Sequence, residues 1–417
     1  MYIKFGRRPV MLGSMVAFAA GLIGASQCNS YATLMACRII HSFGSGVCEA
    51  IPVQLVNDIF FIHERGKRLG YYTVALCLGA TGPLYAGYML AGGYSWRLFF
   101  YVVFAFAMGL LILTFFFVEE TLYHRERMKA TLGPAISPEL AEKGADAALA
   151  EIPSNSPGRK SFVSTLKPWS GIDREAPFFS TMWRSFTYFL VPSVFWVVCT
   201  YGIYIGLGAL AFNFTFPILI TSPPYNWSPT NSGLIAVGNA VGYFLAIPFT
   251  TSSDRLAARL TKRNGMIREA EMRLGVLIPA MLIAPAGLVV YGYTAQQQLH
   301  WFGYFAAVAM TNWGAYFYFT FTLAYAVDSY TVNLSEMLIA MNLGKQAISF
   351  AMGFKLLTWI LEIGYLKMIG GIFCGVLLIN NLALIVFMLF GKKIRIATSQ
   401  TWLASLHRRT RTAGAVH

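Results

Sequence analysis

Charged residues are scarce in this sequence. They make up 12% of the 417 residues, and only 18 residues are acidic. Soluble domains carry about 25% charged residues, so the composition excludes an ordinary water-soluble fold. Cysteine and histidine are scarce too, at six residues each, and they form no CxxC pair and no Cys/His cluster. The sequence therefore predicts neither a disulfide framework nor a metal site.

The patterns of enzymes and ATP-driven proteins are also missing. No glycine-rich loop of the kind that cradles nucleotide phosphates is present. The sequence shows no arrangement of a nucleophile, a base and an orienting group of the kind found in sites of covalent catalysis. We therefore expect no enzymatic activity and no cofactor.

Apolar residues dominate instead. They make up 56% of the chain, and the mean hydropathy is +0.56. A helix needs roughly 17–25 apolar residues to cross a bilayer. Ten segments satisfy this length, at 9–27, 32–56, 69–91, 98–118, 188–219, 231–250, 274–293, 302–327, 336–360 and 368–390. The sequence therefore predicts an all-α, polytopic membrane protein with about ten transmembrane helices and the lipid bilayer as its surroundings.

Most basic residues lie in the loops and tails that flank these segments. The net charge is +14, and 27 of the 32 basic residues fall on one side of the predicted membrane. Such a bias is the positive-inside signature, so it places both termini in the cytoplasm. The basicity thus reports topology, and we expect no nucleic-acid partner.

The second predicted span carries a polar stripe. Arg38 and Glu49 are eleven residues apart, which at about 100° per residue leaves them about 20° apart around a helix. His41 lies near the same line. A charge that faces lipid near mid-membrane costs at least about 2.5–3.5 kcal/mol. The stripe is therefore predicted to face a protein interior or a water-filled cavity.

Several motifs resemble those of a known family. They are, in chain order, RIIHSFGSGVCEA, NDIFFIHERGKR, GPLYAG, SWRLFF, VEETLY, SDRLAARLTKRNG and SEMLIAMNLGKQAISF. In this order they are similar to the fungal drug:proton antiporter branch of the major facilitator superfamily. The resemblance implies a major facilitator fold, in which two halves of six helices give alternating access to a central site.

The resemblance also implies how the chain is divided. KFGRRP at the start resembles the second half of the family's signature loop between helices two and three. The ten spans then correspond to helices three through twelve. We accordingly expect a truncated N-terminal half at 1–118, a cytoplasmic linker at 119–187, a C-terminal half at 188–392 and a cytoplasmic tail at 393–417.

Proton coupling is the role implied for the polar stripe. Arg38 matches the arginine of the family's R-x-x-x-G-x-G motif, which implies that it tunes a nearby carboxylate or binds an anionic group. Glu49 and His41 are the candidate proton carriers, since a nearby arginine changes the proton affinity of a carboxyl group. The alternative interpretation is a structural ion pair beside a histidine that only packs.

Two further sets of candidates follow. Charged loop-end residues and bending residues of the third span are predicted to form gates through inter-helix salt bridges and close packing: Glu64, Arg65, Arg68, Gly82, Pro83, Gly87, Asp254, Arg255 and Asp328. Aromatic, amide and cationic side chains of the later spans are predicted to line a substrate cavity: Tyr201, Tyr204, Asn213, Asn312, Trp313, Tyr316, Tyr318, Asn342, Lys345 and Gln346. The alternative is that these side chains pack against lipid or neighbouring helices.

The resulting prediction is a monomeric, secondary active transporter in the plasma membrane. It would export a small, amphiphilic organic molecule in exchange for protons. Three alternatives stay open at this point. One is a symporter or facilitator of the same fold, the second is a non-transporting membrane sensor or partner subunit, and the third is an incomplete gene model whose full product is an ordinary transporter.

Overall fold

A computed structural model describes residues 2–46, 50–60, 62–79, 82–120, 178–267, 269–329 and 334–402, and these are mostly helical. The helices are α1 Tyr2–Phe5, α2 Arg7–Gln27, α3 Tyr31–Ser45, α4 Ala50–Ile59, α5 Ile62–Gly79, α6 Gly82–Ala91, α7 Arg97–Phe117, α8 Phe178–Thr187, α9 Pro192–Ile203, α10 Leu210–Thr221, α11 Ile235–Ala246, α12 Ser252–Arg263, α13 Ile278–Gln297, α14 Phe302–Ser329, α15 Leu334–Ile363 and α16 Cys374–Ser399. The chain separates into two compact units.

Turns of tighter or wider helix connect several of these elements. Turns of 3-10 helix occur at Tyr188–Leu190, Pro229–Leu234, Ile247–Phe249 and Ala270–Leu277, and π-helical turns occur at Tyr204–Ala209 and Leu366–Phe373. Because these turns run directly into the neighbouring α-helices, pieces such as α9 and α10 form one membrane-length segment.

The predicted spans are mostly recovered. Nine helical segments within the described part of the chain are long and apolar enough to cross a membrane, and they coincide with nine of the ten predicted spans. The remaining one, 302–327, forms the 28-residue helix α14. Its polar and aromatic residues lower its hydropathy, and most of them are buried against protein rather than exposed to lipid. The predicted class, an all-α polytopic membrane protein, is confirmed, whereas the count of ten stays a prediction.

The first unit comprises Met1–Val47 and Val103–Phe178. Its α2 and α3 are joined by a short turn, and Ser30 caps α3 through a reciprocal hydrogen-bonded box with Thr33. The two helices touch backbone to backbone, since a Cβ added to Gly21 would lie 2.5 Å from the His41 nitrogen. Such close approach through small residues is typical of helix packing in membranes.

The N-terminus of α2 is closed by a carboxylate. Both carboxylate oxygens of Glu120 accept hydrogen bonds from backbone N–H groups, those of Arg7 and Arg8, at 3.1 Å. The side chain of Arg8 donates to the Phe115 carbonyl at 2.5 Å. An acidic group at this position satisfies otherwise unpaired N–H groups and interacts favourably with the helix dipole.

The second unit comprises Cys48–Val102 and Phe179–His417. Helix α14 lies at its centre, and α13, α11 and α5 pack around it. Small residues allow the approach: a Cβ on Gly242 of α11 would lie 2.5 Å from the Ala309 carbonyl oxygen. Buried aromatic rings, including Tyr316, Phe317 and Phe321, fill the space around α14. This packing leaves a cavity that residues of α14 help to line.

Candidate functional site

The second unit contains a cavity of about 310 Å³. This volume falls at the lower end of the range for small-molecule sites, about 300–1,000 Å³. Helices α4, α5, α9, α11, α14 and α15 contribute to its wall. The aromatic lining residues are Tyr72, Tyr201, Tyr204, Tyr243 and Phe319, the polar ones are Thr73, Cys77, Asn312, Asn342 and Lys345, and the others are aliphatic. The mixture of rings, amides and one ammonium group suits an amphiphilic organic ligand.

A π-helical turn forms part of this wall. It spans Tyr204–Ala209, between α9 and α10, and it presents Tyr204, Ile205 and Ala209 to the cavity. The ring of Tyr204 packs on that of Tyr318, with centroids 4.9 Å apart. Single π-helical turns inside α-helices occur frequently at functional sites, which is consistent with this position.

Lys345 brings a positive charge to the cavity. Its side chain is buried, and its Nζ lies 5.9 Å from the centroid of the Tyr201 ring, within the range of a cation–π contact. The Tyr201 hydroxyl donates a hydrogen bond to the Phe319 carbonyl, which fixes the ring. Among the lining residues that the structure describes, Lys345 is the one with a formal charge.

Asn312 is held in one orientation by its neighbours. Its amide nitrogen donates to the Asn239 side-chain oxygen and to the Val308 carbonyl, both at 2.8 Å. Its amide oxygen accepts from the Tyr243 hydroxyl at 2.9 Å. Because its polar atoms are engaged within the protein, Asn312 presents a preorganised amide edge to the cavity.

The structure separates the predicted cavity residues into two groups. Tyr201, Tyr204, Asn312, Asn342 and Lys345 line the cavity. The others lie elsewhere: Asn213 and Gln346 are exposed on the surface of the unit, Trp313 packs on Phe249 and Phe317, and Tyr316 and Tyr318 are buried in the core. The difference arises because neighbouring residues on a helix point about 100° apart.

Three aromatic lining residues were not predicted from the sequence. Tyr72, Tyr243 and Phe319 each lie beside another aromatic residue in an apolar run, where no spacing distinguishes them from residues that pack. Asn239, which orients Asn312, was missed for the same reason.

The residues predicted to couple protons belong to the first unit as far as they are described. Arg38 is exposed on α3, and His41 is half-buried with its ring centroid 4.5 Å from that of Phe18. Glu49 lies outside the described residues. The pairing of Arg38 with Glu49 therefore stays a prediction.

A buried arginine ties several helix ends together in the second unit. Arg273 donates from Nη1 to Asp254 Oδ1 at 2.8 Å and from Nε to Asp328 Oδ2 at 2.6 Å. The backbone N–H of Lys67 donates to the other oxygen of Asp254 at 2.9 Å. We call Arg273, Asp254 and Asp328 the charge cluster. It links α5, α12 and α14 with the 3-10 turn before α13, so it joins four segments at one end of the unit.

The sequence identified two of its three members. Asp254 and Asp328 were predicted gating residues, whereas Arg273 was not among the candidates. The sequence does not show that Arg273 is buried, because the two carboxylates that pair with it lie far away in the chain.

The other predicted gating residues behave differently. Glu64 Oε2 lies 3.9 Å from Arg68 Nη2 within α5, and both side chains are nearly half exposed. Residues four apart meet on the surface of one helix, so this contact lies within α5, and the inter-helix pairing of these two residues stays a prediction. Arg255 is exposed on α12. The side chains of Arg65 and Pro83 lie outside the described part.

The two glycines predicted to bend the third span differ in how closely other atoms approach them. A Cβ on Gly87 would lie 2.5 Å from the Thr230 carbonyl oxygen, whereas a Cβ on Gly82 would meet only the Phe99 ring at 3.7 Å. Gly87 is thus required by close packing of α6 on the 3-10 turn Pro229–Leu234, and Gly82 has space for a side chain.

Gly66 leaves the room that the charge cluster needs. A Cβ there would come within 2.5 Å of Asp254 Oδ1 and 2.6 Å of Arg273 Nη1. We expect Gly66→Ala to push α5 away from these atoms and to lower the melting temperature of the purified protein. Gly375→Ala, in α16 where nothing lies within 4 Å, is the matched control; it is expected to leave the melting temperature unchanged or to raise it, since alanine favours the helix. Equal melting temperatures for the two variants would contradict the assigned role of Gly66.

A second buried ion pair anchors α15. Arg184 Nη2 lies 2.8 Å from Glu336 Oε1, and both residues are buried. Glu336 is in the first turn of α15, where a carboxylate is favoured by the helix dipole. The pair thereby fixes the helix that carries Asn342 and Lys345 relative to α8.

The helices are those of a polytopic membrane protein, and the second unit contains a cavity of small-molecule size. The family model described as Major Facilitator Superfamily matches residues 1–354. The chain therefore belongs to the major facilitator superfamily, whose members are membrane transporters rather than enzymes. It is an integral membrane protein, and the predicted superfamily is confirmed.

Curated relatives are similar at low identity. The chain is 26% identical over 339 residues to the efflux pump FUB11 of Gibberella fujikuroi, covering 81% of this chain and 55% of the relative. It is 24% identical over 353 residues to the probable efflux pump mfs2 of Aspergillus flavus, covering 83% of this chain and 78% of the relative. The chain thus spans about half the length of FUB11.

Solved structures share the fold. The proton:xylose symporter XylE, bound to 6-bromo-6-deoxy-D-glucose, superposes with a TM-score of 0.59 at 15% identity, over 92% of this chain and 80% of XylE. The human organic anion transporter MFSD10 (TETRAN) gives a TM-score of 0.54 at 17% identity, over 91% of this chain and 77% of MFSD10. At these identities the likeness concerns the fold alone.

Proposed function

We propose that this chain carries a small amphiphilic organic molecule across the membrane by alternating access, in exchange for protons and in the direction of export. The observation that carries the proposal is the cavity itself. Its aromatic rings offer an apolar surface, while Asn342 offers an amide for hydrogen bonds and Lys345 offers one charge. Sites of this composition bind ligands with an apolar body and a few polar groups.

The names of the curated relatives favour export over uptake. FUB11 and mfs2 are called an efflux pump and a probable efflux pump, whereas the structural neighbour XylE is a symporter. The sequence motifs point to the drug:proton antiporter branch, so we place the chain there and retain symport as the second candidate. A non-transporting sensor is the candidate of another class.

Proton coupling is assigned to Glu49, biased by Arg38, with His41 as a second titratable group. A carboxylate inside a membrane protein is costly to keep charged, and such groups are typical proton carriers of transporters. We assign gating to the charge cluster and to Gly87. The cluster would hold one access state, and its ion pairs would separate in the other.

The remaining proposals concern placement. The charge bias of the loops supports cytoplasmic termini, and we propose the plasma membrane as the location. We also propose the domain division of the sequence prediction, with an N-terminal transmembrane half at 1–118, a linker at 119–187, a C-terminal half at 188–392 and a tail at 393–417. We propose that the protein acts as a monomer.

Uptake into inside-out vesicles tests the transport proposal. The vesicles acidify their lumen, and uptake of toxic amphiphiles is recorded for the wild type, for Glu49→Gln and in the presence of a protonophore. We expect uptake by the wild type to disappear with the protonophore and to fall at least tenfold in Glu49→Gln, with Lys355→Gln on the exposed face of α15 as a control of normal activity. Uptake by Glu49→Gln at the wild-type rate would contradict coupling through Glu49. No uptake by any variant, with all of them present in the membrane, would favour the sensor.

A further inference from the structure

Two cysteines face each other at one end of the first unit. Cys28 follows the last residue of α2, and Cys37 is the seventh residue of α3. Their Sγ atoms lie 3.7 Å apart. A disulfide has an S–S distance of about 2.05 Å. Side-chain rotations need to bring the two sulphur atoms only about 1.7 Å closer for a disulfide to form.

The backbone around the pair holds this geometry. Only Cys28, Asn29 and Ser30 separate α2 from α3, and the Ser30–Thr33 box fixes the start of α3. Gly24 provides the space for the second sulphur, because a Cβ there would lie 2.8 Å from Cys37 Sγ. The two thiols are thus placed by helix packing and not by a flexible loop.

The two thiols differ in accessibility. Cys28 is buried, with 8% of its surface exposed, and its Sγ donates to the Gly24 carbonyl at 3.1 Å. Cys37 is half-buried. An external oxidant therefore reaches Cys37 first, and Cys28 is positioned to react with it afterwards.

The charge of the flanking segments indicates the compartment. The turn Cys28–Ser30 follows a span preceded by Lys4, Arg7 and Arg8, and it carries no basic residue itself. By the positive-inside rule this turn faces away from the cytoplasm. On a membrane protein made in the secretory pathway, that side is the oxidising one.

We propose that Cys28 and Cys37 form a disulfide that ties the outer ends of α2 and α3. The oxidant is the disulfide of a thiol–disulfide oxidoreductase of the secretory pathway. The Cys37 thiolate attacks one of its sulphur atoms, forming a mixed disulfide and releasing one enzyme thiolate. The Cys28 thiolate then attacks Cys37 Sγ and releases the second. Each protein thiol has lost one proton, and the enzyme disulfide has taken up two electrons.

The spacing of the two cysteines gave no signal in the sequence. They are separated by eight residues within a set of six scattered cysteines, and only the antiparallel packing of α2 on α3 brings them together. The proposal is independent of the transport function.

Counting free thiols tests the proposal. The full chain is expressed through the secretory pathway, denatured, and treated with a maleimide-coupled polymer before and after reduction. Of the six cysteines, we expect the two of the disulfide to be protected, so that four polymers attach before reduction and six after it. Mass spectrometry of the unreduced digest is expected to find the Cys28 and Cys37 peptides linked.

Serine variants identify the pair. Cys28→Ser and Cys37→Ser are each expected to accept five polymers with or without reduction. The control Cys77→Ser, which alters a cysteine of the other unit, is expected to accept three before reduction and five after. Six polymers on the unreduced wild type would overturn the proposal, and so would a linked peptide joining any other two cysteines. The wild-type count decides even where a variant folds poorly.

Discussion

Arg273→Ala is expected to produce a protein that folds poorly and reaches the membrane at much reduced abundance. The substitution removes the cation that contacts both Asp254 and Asp328, and the arginine side chain is only 1% exposed. Removing one partner of a buried ion pair typically costs about 3–5 kcal/mol. Native proteins are stable by about 5–15 kcal/mol, so this loss is a large part of the total. The measurement is the melting temperature of the detergent-purified protein, together with its abundance.

An exposed ion pair supplies the control. Lys392 lies 2.6 Å from Glu269, yet its side chain is 63% exposed. Exposed pairs contribute about 0–1 kcal/mol, so Lys392→Ala is expected to melt close to the wild type. A triple variant with Arg273→Met, Asp254→Asn and Asp328→Asn removes the charges together and is expected to recover part of the stability. A wild-type melting temperature for Arg273→Ala would contradict the importance of the charge cluster.

Lys345→Gln is expected to weaken the binding of anionic amphiphiles roughly 10- to 100-fold while neutral analogues bind nearly as before. The ammonium group of Lys345 faces a cavity walled by aromatic and aliphatic side chains. Hydrogen bonds to charged groups contribute about 1.5–3 kcal/mol, which corresponds to this range. The measurement compares dissociation constants for a neutral ligand and its carboxylate analogue by ligand-induced shifts of the melting temperature.

A second lysine on the same helix controls for general effects. Lys355 is exposed on α15, ten residues further along the chain. Lys355→Gln is expected to bind both ligands as the wild type does. Equal losses for the neutral and the anionic ligand in Lys345→Gln would show that the lysine acts on the structure of the cavity and not through its charge.

The sequence predicts the helices well because their apolar length is a local property. Nine of the predicted spans coincide with membrane-length helices within the described residues. Which residues line the cavity depends on the rotation of each helix about its axis. A small error in that rotation assigns the wrong residues to the cavity wall. Lys345 lines the cavity, whereas its neighbour Gln346 is exposed; Asn312 lines it, whereas Trp313 packs on aromatic rings.

Contacts between distant parts of the chain also cannot be predicted from this sequence. Arg273 meets Asp254 and Asp328 from 19 and 55 residues away. No local pattern predicts such a cluster, because it forms only when α5, α12, α14 and the 3-10 turn before α13 come together in the folded protein. The amide network of Asn312, Asn239 and Tyr243 is similar, since its members come from α11 and α14.

Labelling of Cys77 tests the central claim, that the cavity opens to both sides of the membrane, most directly. Cys77 lines the cavity, so a variant that retains this cysteine and has serine at the other five positions reports on access. The variant is labelled in sealed membranes with a membrane-impermeant maleimide from each side, with and without a transported amphiphile. A variant that retains only Cys199, which is not among the lining residues, is the control. Alternating access predicts labelling of Cys77 from either side and slower labelling in the presence of the amphiphile, which leaves Cys199 unaffected. Labelling of Cys77 from one side alone, unchanged by the amphiphile, would contradict it.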